Sequence, residues 1–149
     1  MICKFASNPL DQLVITQKFG ENPAFYKKYG MNGHNGVDFR TKFPDTPLGR
    51  REIYAVDDGV VIKVVRAKLG GYGTYIQISH EDGSMTIYGH QYNPHVELGQ
   101  KVKAGEVIGI SDNTGDSTGA HLHFGYRRAS PNMYNGFKGY VDPSSYLNF

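Results

Sequence analysis

Residues 75–88 read Tyr75-Ile76-Gln77-Ile78-Ser79, then a turn through Glu81-Asp82-Gly83-Ser84, then Met85-Thr86-Ile87-Tyr88. Two β-prone runs joined by a short Asp-Gly turn make an antiparallel hairpin, because glycine reaches positive φ at little cost. Similar short runs lie on both sides of it. Upstream, Ile53 to Val56 leads through Asp57-Asp58-Gly59 into Val60-Val61-Ile62-Lys63-Val64-Val65, and Gly70-Gly71-Tyr72-Gly73 turns the chain into the hairpin. Downstream come Val96 to Val102 around Gly99, the apolar Val107 to Ser111, the loop Asp112 to Gly119 and the run His121 to Arg127. Nearer the start, Leu13 to Gln17 is a short strand ended by Phe19-Gly20. Residues 21–33 are irregular, with one helical turn over Ala24 to Tyr29. Residues 1–12 read as an N-terminal arm and 13–149 as one domain. The pattern predicts an all-β fold: antiparallel sheets forming a saddle or sandwich-like single domain, with long loops around a groove.

Composition agrees with that class. The chain has 149 residues, 39% hydrophobic and 20% charged, enough apolar material for one core and too much for a disordered tail. Its 19 glycines and 7 prolines exceed the usual share of about 12%, as many tight turns require. Sixteen basic against fourteen acidic residues leave +2, too little charge for an obligate nucleic-acid binder. A single cysteine, Cys3, excludes an internal disulfide and a thiolate zinc knuckle, so any metal falls to His and carboxylate. No apolar run reaches membrane-spanning length, and the first residues lack the apolar stretch of a secretory signal.

His121-Leu122-His123-Phe124 alternates polar and apolar, so in a strand both imidazoles project from one face. In Gly33-His34-Asn35-Gly36-Val37-Asp38-Phe39, His34 and Asp38 are four apart and share a face of extended backbone. A His, a carboxylate and a further His are the three protein ligands of an open catalytic zinc site, which keeps a fourth position for water. Spacing leaves open which imidazole of the His121/His123 pair is the ligand. His90, after Tyr88-Gly89, stands where the hairpin strand gives way to a loop, a position suited to a general acid or base. Other polar groups read as structural. His80 begins a turn and makes a local hydrogen bond, and His95 is a solvated loop residue. Lys27-Lys28 and Arg127-Arg128 read as solvated faces, with contact to an anionic substrate as the alternative, and Asp112 to Gly119 is a turn-rich loop without the closing Glu of a calcium loop.

In order along the chain stand G-H-x-G-V-D at Gly33 to Asp38, D-G-V-V at Asp58 to Val61 and Y-G-H at Tyr88 to His90. G-Q-x-V-x-x-G-x-V-I-G at Gly99 to Gly109 and S-T-G-x-H-L-H-F at Ser117 to Phe124 follow. Together these motifs resemble the lysostaphin-type zinc endopeptidases that cut peptidoglycan cross-bridges. The resemblance runs from about Ile15 to Pro143. It implies that His34, Asp38 and His123 bind one Zn²⁺, and that His90 and His121 are the non-ligand catalytic pair. It implies a zinc metalloendopeptidase that hydrolyses peptide bonds in bacterial peptidoglycan, as a monomer needing no nucleic acid, membrane or other cofactor. Such an enzyme acts on the cell wall, extracellular or periplasmic. With no signal in this chain, the routes there are phage release, a virion, or excision from a longer protein. Two positions depart from the family pattern. Thr41 to Glu52 is several residues longer than the usual connection, and Gly125 stands where many relatives carry Glu or Gln, which implies a wider cleft or a lost supporting contact. Tyr29 is the candidate for the tyrosine that supports the oxyanion. The rival reading is a non-catalytic wall-binding or carrier module, since Gly99 to Gly109 also resembles half of a lipoyl- or biotinyl-type β domain. A carrier needs a lysine displayed on a hairpin tip, and no convincing one is present.

Overall fold

In the computed structural model, which describes residues 4–149, every strand pairing is antiparallel. Cys3 lies outside the described residues. The strands are β1 (Ile15–Gln17), β2 (Val37–Arg40), β3 (Glu52–Tyr54), β4 (Gly59–Val65), β5 (Thr74–His80), β6 (Met85–Pro94), β7 (Lys101–Val102), β8 (Val107–Ser111), β9 (His121–Arg127) and β10 (Tyr140–Val141). They form one hydrogen-bonded network in the order β1-β2-β9-β6-β5-β4-β7. β10 flanks β9, and β8 bridges β6 to β3. A short helix, α1 (Pro23–Tyr26), runs into a 3₁₀ turn at Lys27–Tyr29, where one helical turn is expected from the sequence. No helix among the described residues is long and apolar enough to cross a membrane.

The β5–β6 hairpin forms as its residues dictate, with Ser79 opposite Met85 and Ile76 opposite Tyr88. Alternation then sorts the side chains: Thr74, Ile76, Ile78 and His80 of β5 are buried, while the residues between them are half-exposed. Val37 and Phe39 of β2, Leu122 and Phe124 of β9, and Tyr88 of β6 enter the same core. Burying each such side chain contributes about 1.5–3 kcal/mol, so the face of β2 and β9 opposite to the histidines anchors both strands.

β6 does not end at Tyr88, as the sequence suggests, but continues to Pro94. Met85–Gly89 pair with β9 and Gln91–Pro94 pair with β8, so the strand changes partner at His90. His90 makes the bend possible by taking φ 58°, left-handed backbone that costs a non-glycine residue about 1–2 kcal/mol. Its amide donates to the Tyr72 carbonyl at 2.7 Å and its carbonyl accepts from the Asp112 amide at 3.0 Å.

From Lys4 to Gln12 the chain carries no strand, yet Phe5 and Leu10 are buried in the main core. Phe5 meets Phe124 and Tyr126 edge-on, and its amide donates to the Tyr146 carbonyl at 2.8 Å. Arg51 grips Asp11 through two hydrogen bonds of 2.6 and 2.7 Å and Asp45 through one of 3.0 Å. This ties both the N-terminal segment and the long Thr41–Glu52 connection to the sheet.

Candidate metal centre

β9 lies between β2 and β6, and its register brings the site together. Asp38 is opposite His123, Arg40 is opposite His121, and Gly89 faces His123 from the other side. With Leu122 and Phe124 in the core, His121 and His123 share the face away from it, as the alternation requires. His123 needs small neighbours. A Cβ on Gly36 would sit 2.7 Å from its ring carbon Cε1 and 2.5 Å from the Phe124 carbonyl oxygen.

His34 stands just before β2, its amide donating to Glu21 at 2.9 Å and its carbonyl accepting from Gly20 at 2.8 Å. A Cβ on Gly33 would overlap the Gly20 carbonyl, so only glycine lets the two segments approach this closely. His34 Nδ1 is 3.3 Å from the Lys18 carbonyl, which can accept only from N–H. That bond leaves the Nε2 lone pair 3.1 Å from Asp38 Oδ1 and 3.0 Å from His123 Nδ1. His123 Nδ1 is 3.3 Å from the same carboxylate oxygen. One ligand atom from each residue thus lies within 4.8 Å of the others, and all three residues are buried.

Three lone-pair donors facing one point repel unless a proton or a cation stands between them. The donor set fits a metal: two imidazole nitrogens, one carboxylate oxygen, and an Asp38 Oδ1 that has no hydrogen-bond donor of proper geometry. Burial pushes the Asp38 carboxyl up, but the imidazoles of His123 and His34 beside it outweigh this and hold the group below the usual carboxylate range. Burial pushes His123 down to about 4, so its imidazole is neutral at pH 7 and its lone pair is available to a metal.

His90 and His121 stand beside this set with ring centroids 4.7 Å apart, and His90 is 6.1 Å from His123. His90 Nδ1–H donates to the Thr114 carbonyl at 2.6 Å, leaving Nε2 for the cleft, and burial with His121 nearby pushes it down to about 3. His121 Nδ1 donates to the Gly119 carbonyl at 2.8 Å, while Nε2 lies 3.3 Å from Asp38 Oδ2. The Asp112 to Gly119 loop therefore holds both rings, through Thr114 and Gly119.

The remaining polar groups fall elsewhere. His80 is buried at the far end of β5, bonded to the Asp58 carbonyl and to Thr86 Oγ1, and His95 is exposed. Tyr29 lies in the wall of a cavity of about 260 Å³ next to His90 and His123, with its hydroxyl buried and unpartnered. Arg127, read from the sequence as a solvated residue, is half-buried in the same wall. Gly125 does not widen the cleft: Ile87 Cγ2 would lie 2.7 Å, and the Tyr140 ring 3.1 Å, from any Cβ there. Sequence reading also missed Tyr72, whose ring centroid is 5.0 Å from that of His123 and whose hydroxyl accepts from Asn35 Nδ2 at 2.7 Å. Asn35, between His34 and Gly36 in the first motif, was the available signal for it.

A second depression, a groove of about 970 Å³, runs past Asp38, His90 and His121 between Arg40 and Lys42 on one side and the Gly115–Ala120 loop on the other. Cavity and groove share His90 and Asp116, so an extended chain laid along the groove passes Asp38, His90 and His121.

Residues 32–139 match the model of Peptidase family M23. The peptidoglycan DD-endopeptidase ShyA of Vibrio cholerae is 41% identical over 91 residues, 61% of this chain and 19% of that protein. The catalytic domain of the antimicrobial peptidase lysostaphin from Staphylococcus simulans superposes with a TM-score of 0.71 at 27% identity, covering 90% of this chain and 91% of that one. A zinc-containing peptidase from Vibrio cholerae superposes with a TM-score of 0.70 at 29% identity, over 98% of this chain and 40% of that one. The chain spans 19% to 27% of the length of the curated relatives it matches. With the family's model matched over most of its length and the lysostaphin-like fold around one His-Asp-His cluster, the chain belongs to peptidase family M23.

Proposed function

We propose that this chain is a zinc-dependent endopeptidase that hydrolyses peptide bonds in bacterial peptidoglycan, with His34, Asp38 and His123 as the zinc ligands and His90 and His121 as the acid-base pair. The observation that carries the reading is the convergence of three buried ligand atoms within 4.8 Å, flanked by two further imidazoles at the floor of an open groove. ShyA's name gives peptidoglycan as its substrate, and the Vibrio cholerae peptidase of the same fold contains zinc; both support the assignment. The place of action on this reading is the cell wall, and the chain works as a monomer.

Zinc supplies Lewis acidity to the scissile carbonyl and to the attacking water. The residues do the rest. Asp38 and the rings of His34 and His123 hold the ligand face rigid, because each is fixed by a second bond or by the strand register. His90, its Nδ1–H spent on Thr114 and its ring neutral, presents an Nε2 lone pair to take a proton from the attacking water. His121, oriented by Gly119 and set beside Asp38 Oδ2, is placed in its protonated form to donate a hydrogen bond from Nε2 to the oxygen that becomes negative, and the proton that His90 took from water passes to the departing amine.

Alanine variants of all five residues separate the roles. His34→Ala, Asp38→Ala and His123→Ala lose zinc and activity together. His90→Ala and His121→Ala keep zinc while turnover on purified peptidoglycan falls about 10²–10⁴-fold. Loss of metal from His121→Ala with retention by His123→Ala would reverse the ligand assignment. Mass spectrometry of the released fragments identifies the bond that is cut.

A further inference from the structure

Seven buried side-chain polar atoms lack a hydrogen-bond partner among the described residues, and four of them belong to residues lining one cavity: Tyr29 Oη, Asn35 Oδ1, His123 Nε2 and Arg127 Nε. Buried polar groups are ordinarily paired. Their concentration in a single concavity therefore points to a ligand that pairs them. The cavity, about 260 Å³, shares His90 and His123 with the candidate metal centre, so whatever fills it lies next to the bond that is cut.

Its charge is as uneven as its hydrogen bonding. The guanidinium of Arg127 lies 4.6 Å from the centre of the Tyr140 ring and gives one hydrogen bond, from Nη2 to the Lys138 carbonyl at 2.8 Å. No carboxylate among the described residues lies within ion-pair distance of it. Lys138, at φ 54°, puts a second cation on the same wall. Asp116, the acid on the wall, is already paired with Lys28 at 3.5 Å. Of the neutral groups, the Tyr29 hydroxyl can donate. Asn35 has spent its Nδ2 on the Tyr72 hydroxyl and offers Oδ1 as an acceptor. Two donors, one of them cationic, with an acceptor close by are the complement of an amino-acid unit that presents a carboxylate and an N–H.

We propose that this cavity is a recognition subsite for a substrate residue carrying a free carboxylate next to the scissile bond, with Arg127 binding the carboxylate and Tyr29 and Asn35 orienting the same residue. The subsite rests on the peptidase reading above, and it adds the chemistry by which that enzyme chooses a bond. Arg127 acts here as a specificity residue and takes no part in bond breaking.

The test compares two synthetic branched peptides that differ at one group: the residue after the scissile bond carries either a free carboxylate or the carboxamide. On the wild-type chain with zinc supplied, the carboxamide has a KM at least ten-fold higher with kcat little changed. Arg127→Gln raises KM for the carboxylate peptide to that of the amide and leaves the amide peptide unaffected. Lys138→Asn, which tolerates the left-handed backbone and leaves the core untouched, weakens the carboxylate preference two- to five-fold and keeps a readout if Arg127→Gln does not fold. Calorimetric binding of both peptides reads the same preference without cleavage. Selective binding of the carboxylate form without hydrolysis would overturn the peptidase reading and uphold the subsite. Equal binding of the two peptides to the wild-type chain, or an equal loss for both in Arg127→Gln and in Lys138→Asn, would overturn the subsite.

Discussion

Gly36→Ala tests whether the proposed metal site depends on the close approach of β2 to β9. The new Cβ would stand 2.5 Å from the Phe124 carbonyl oxygen and 2.7 Å from His123 Cε1, where ordinary van der Waals contact begins at 3.4 Å. About 0.9 Å of backbone and about 0.7 Å of ring displacement are both needed, and neither neighbour is free to give it. Phe124 is wholly buried, and the His123 ring is caught between Asp38 and the Tyr72 ring. Overpacking of this kind costs about 1–3 kcal/mol of stability. A metal ligand tolerates only about 0.2 Å of misplacement, so a ring shift of the size required should raise the zinc dissociation constant by about 10–100-fold, the usual cost of disturbing a ligand's support. The assay is zinc occupancy against a competing chelator, paired with urea denaturation of the same samples. Gly119→Ala is the control, since nothing lies within 4 Å of a Cβ there. A folded Gly36→Ala protein that holds zinc as tightly as the wild type would refute the argument that this glycine makes room for the ligand.

Three further outcomes can be checked. Phe5→Ala should lower stability by about 3–5 kcal/mol and Leu10→Ala by about 2–5 kcal/mol, measured by denaturant titration, because both side chains fill the main core; unchanged midpoints would show that the segment is a detachable arm after all. His90→Asn keeps a residue type that accepts left-handed backbone, so circular dichroism and melting should stay near wild type while peptide-bond cleavage drops about 10²–10⁴-fold; near-normal turnover would remove His90 from the mechanism. Gly125→Ala should cost about 1–3 kcal/mol in thermal denaturation, since Ile87 and Tyr140 occupy the space, and a neutral result would mean that the cleft wall is looser than it looks.

What the sequence determined by itself was local. Alternation along His121-Leu122-His123-Phe124 sends two imidazoles one way and two apolar groups the other wherever the segment is a strand, since side chains in extended backbone change sides at every residue. The Glu81-Asp82-Gly83-Ser84 turn between β-prone runs likewise makes its hairpin without help from the rest of the chain. The motif order was legible too, and the lysostaphin-type resemblance it carried implied a choice of ligands, His34, Asp38 and His123, that spacing alone left open. Tertiary structure decided everything that depends on a partner distant in sequence. His90 looked like the end of a strand because Tyr88-Gly89-His90 contains nothing to show that β6 exchanges β9 for β8 at that residue. Phe5 looked like part of an arm because its burial needs Phe124, Tyr126 and Tyr146 from the other end of the chain, and Leu10 is buried in the same core. Arg127 looked solvated because Tyr140 and Lys138, which turn it into a cavity wall, come from the segment that folds back beside β9. Backbone geometry writes a period of two into any strand, but which strand lies alongside is set by the burial of apolar surface over the whole chain, and no short window of sequence contains that information.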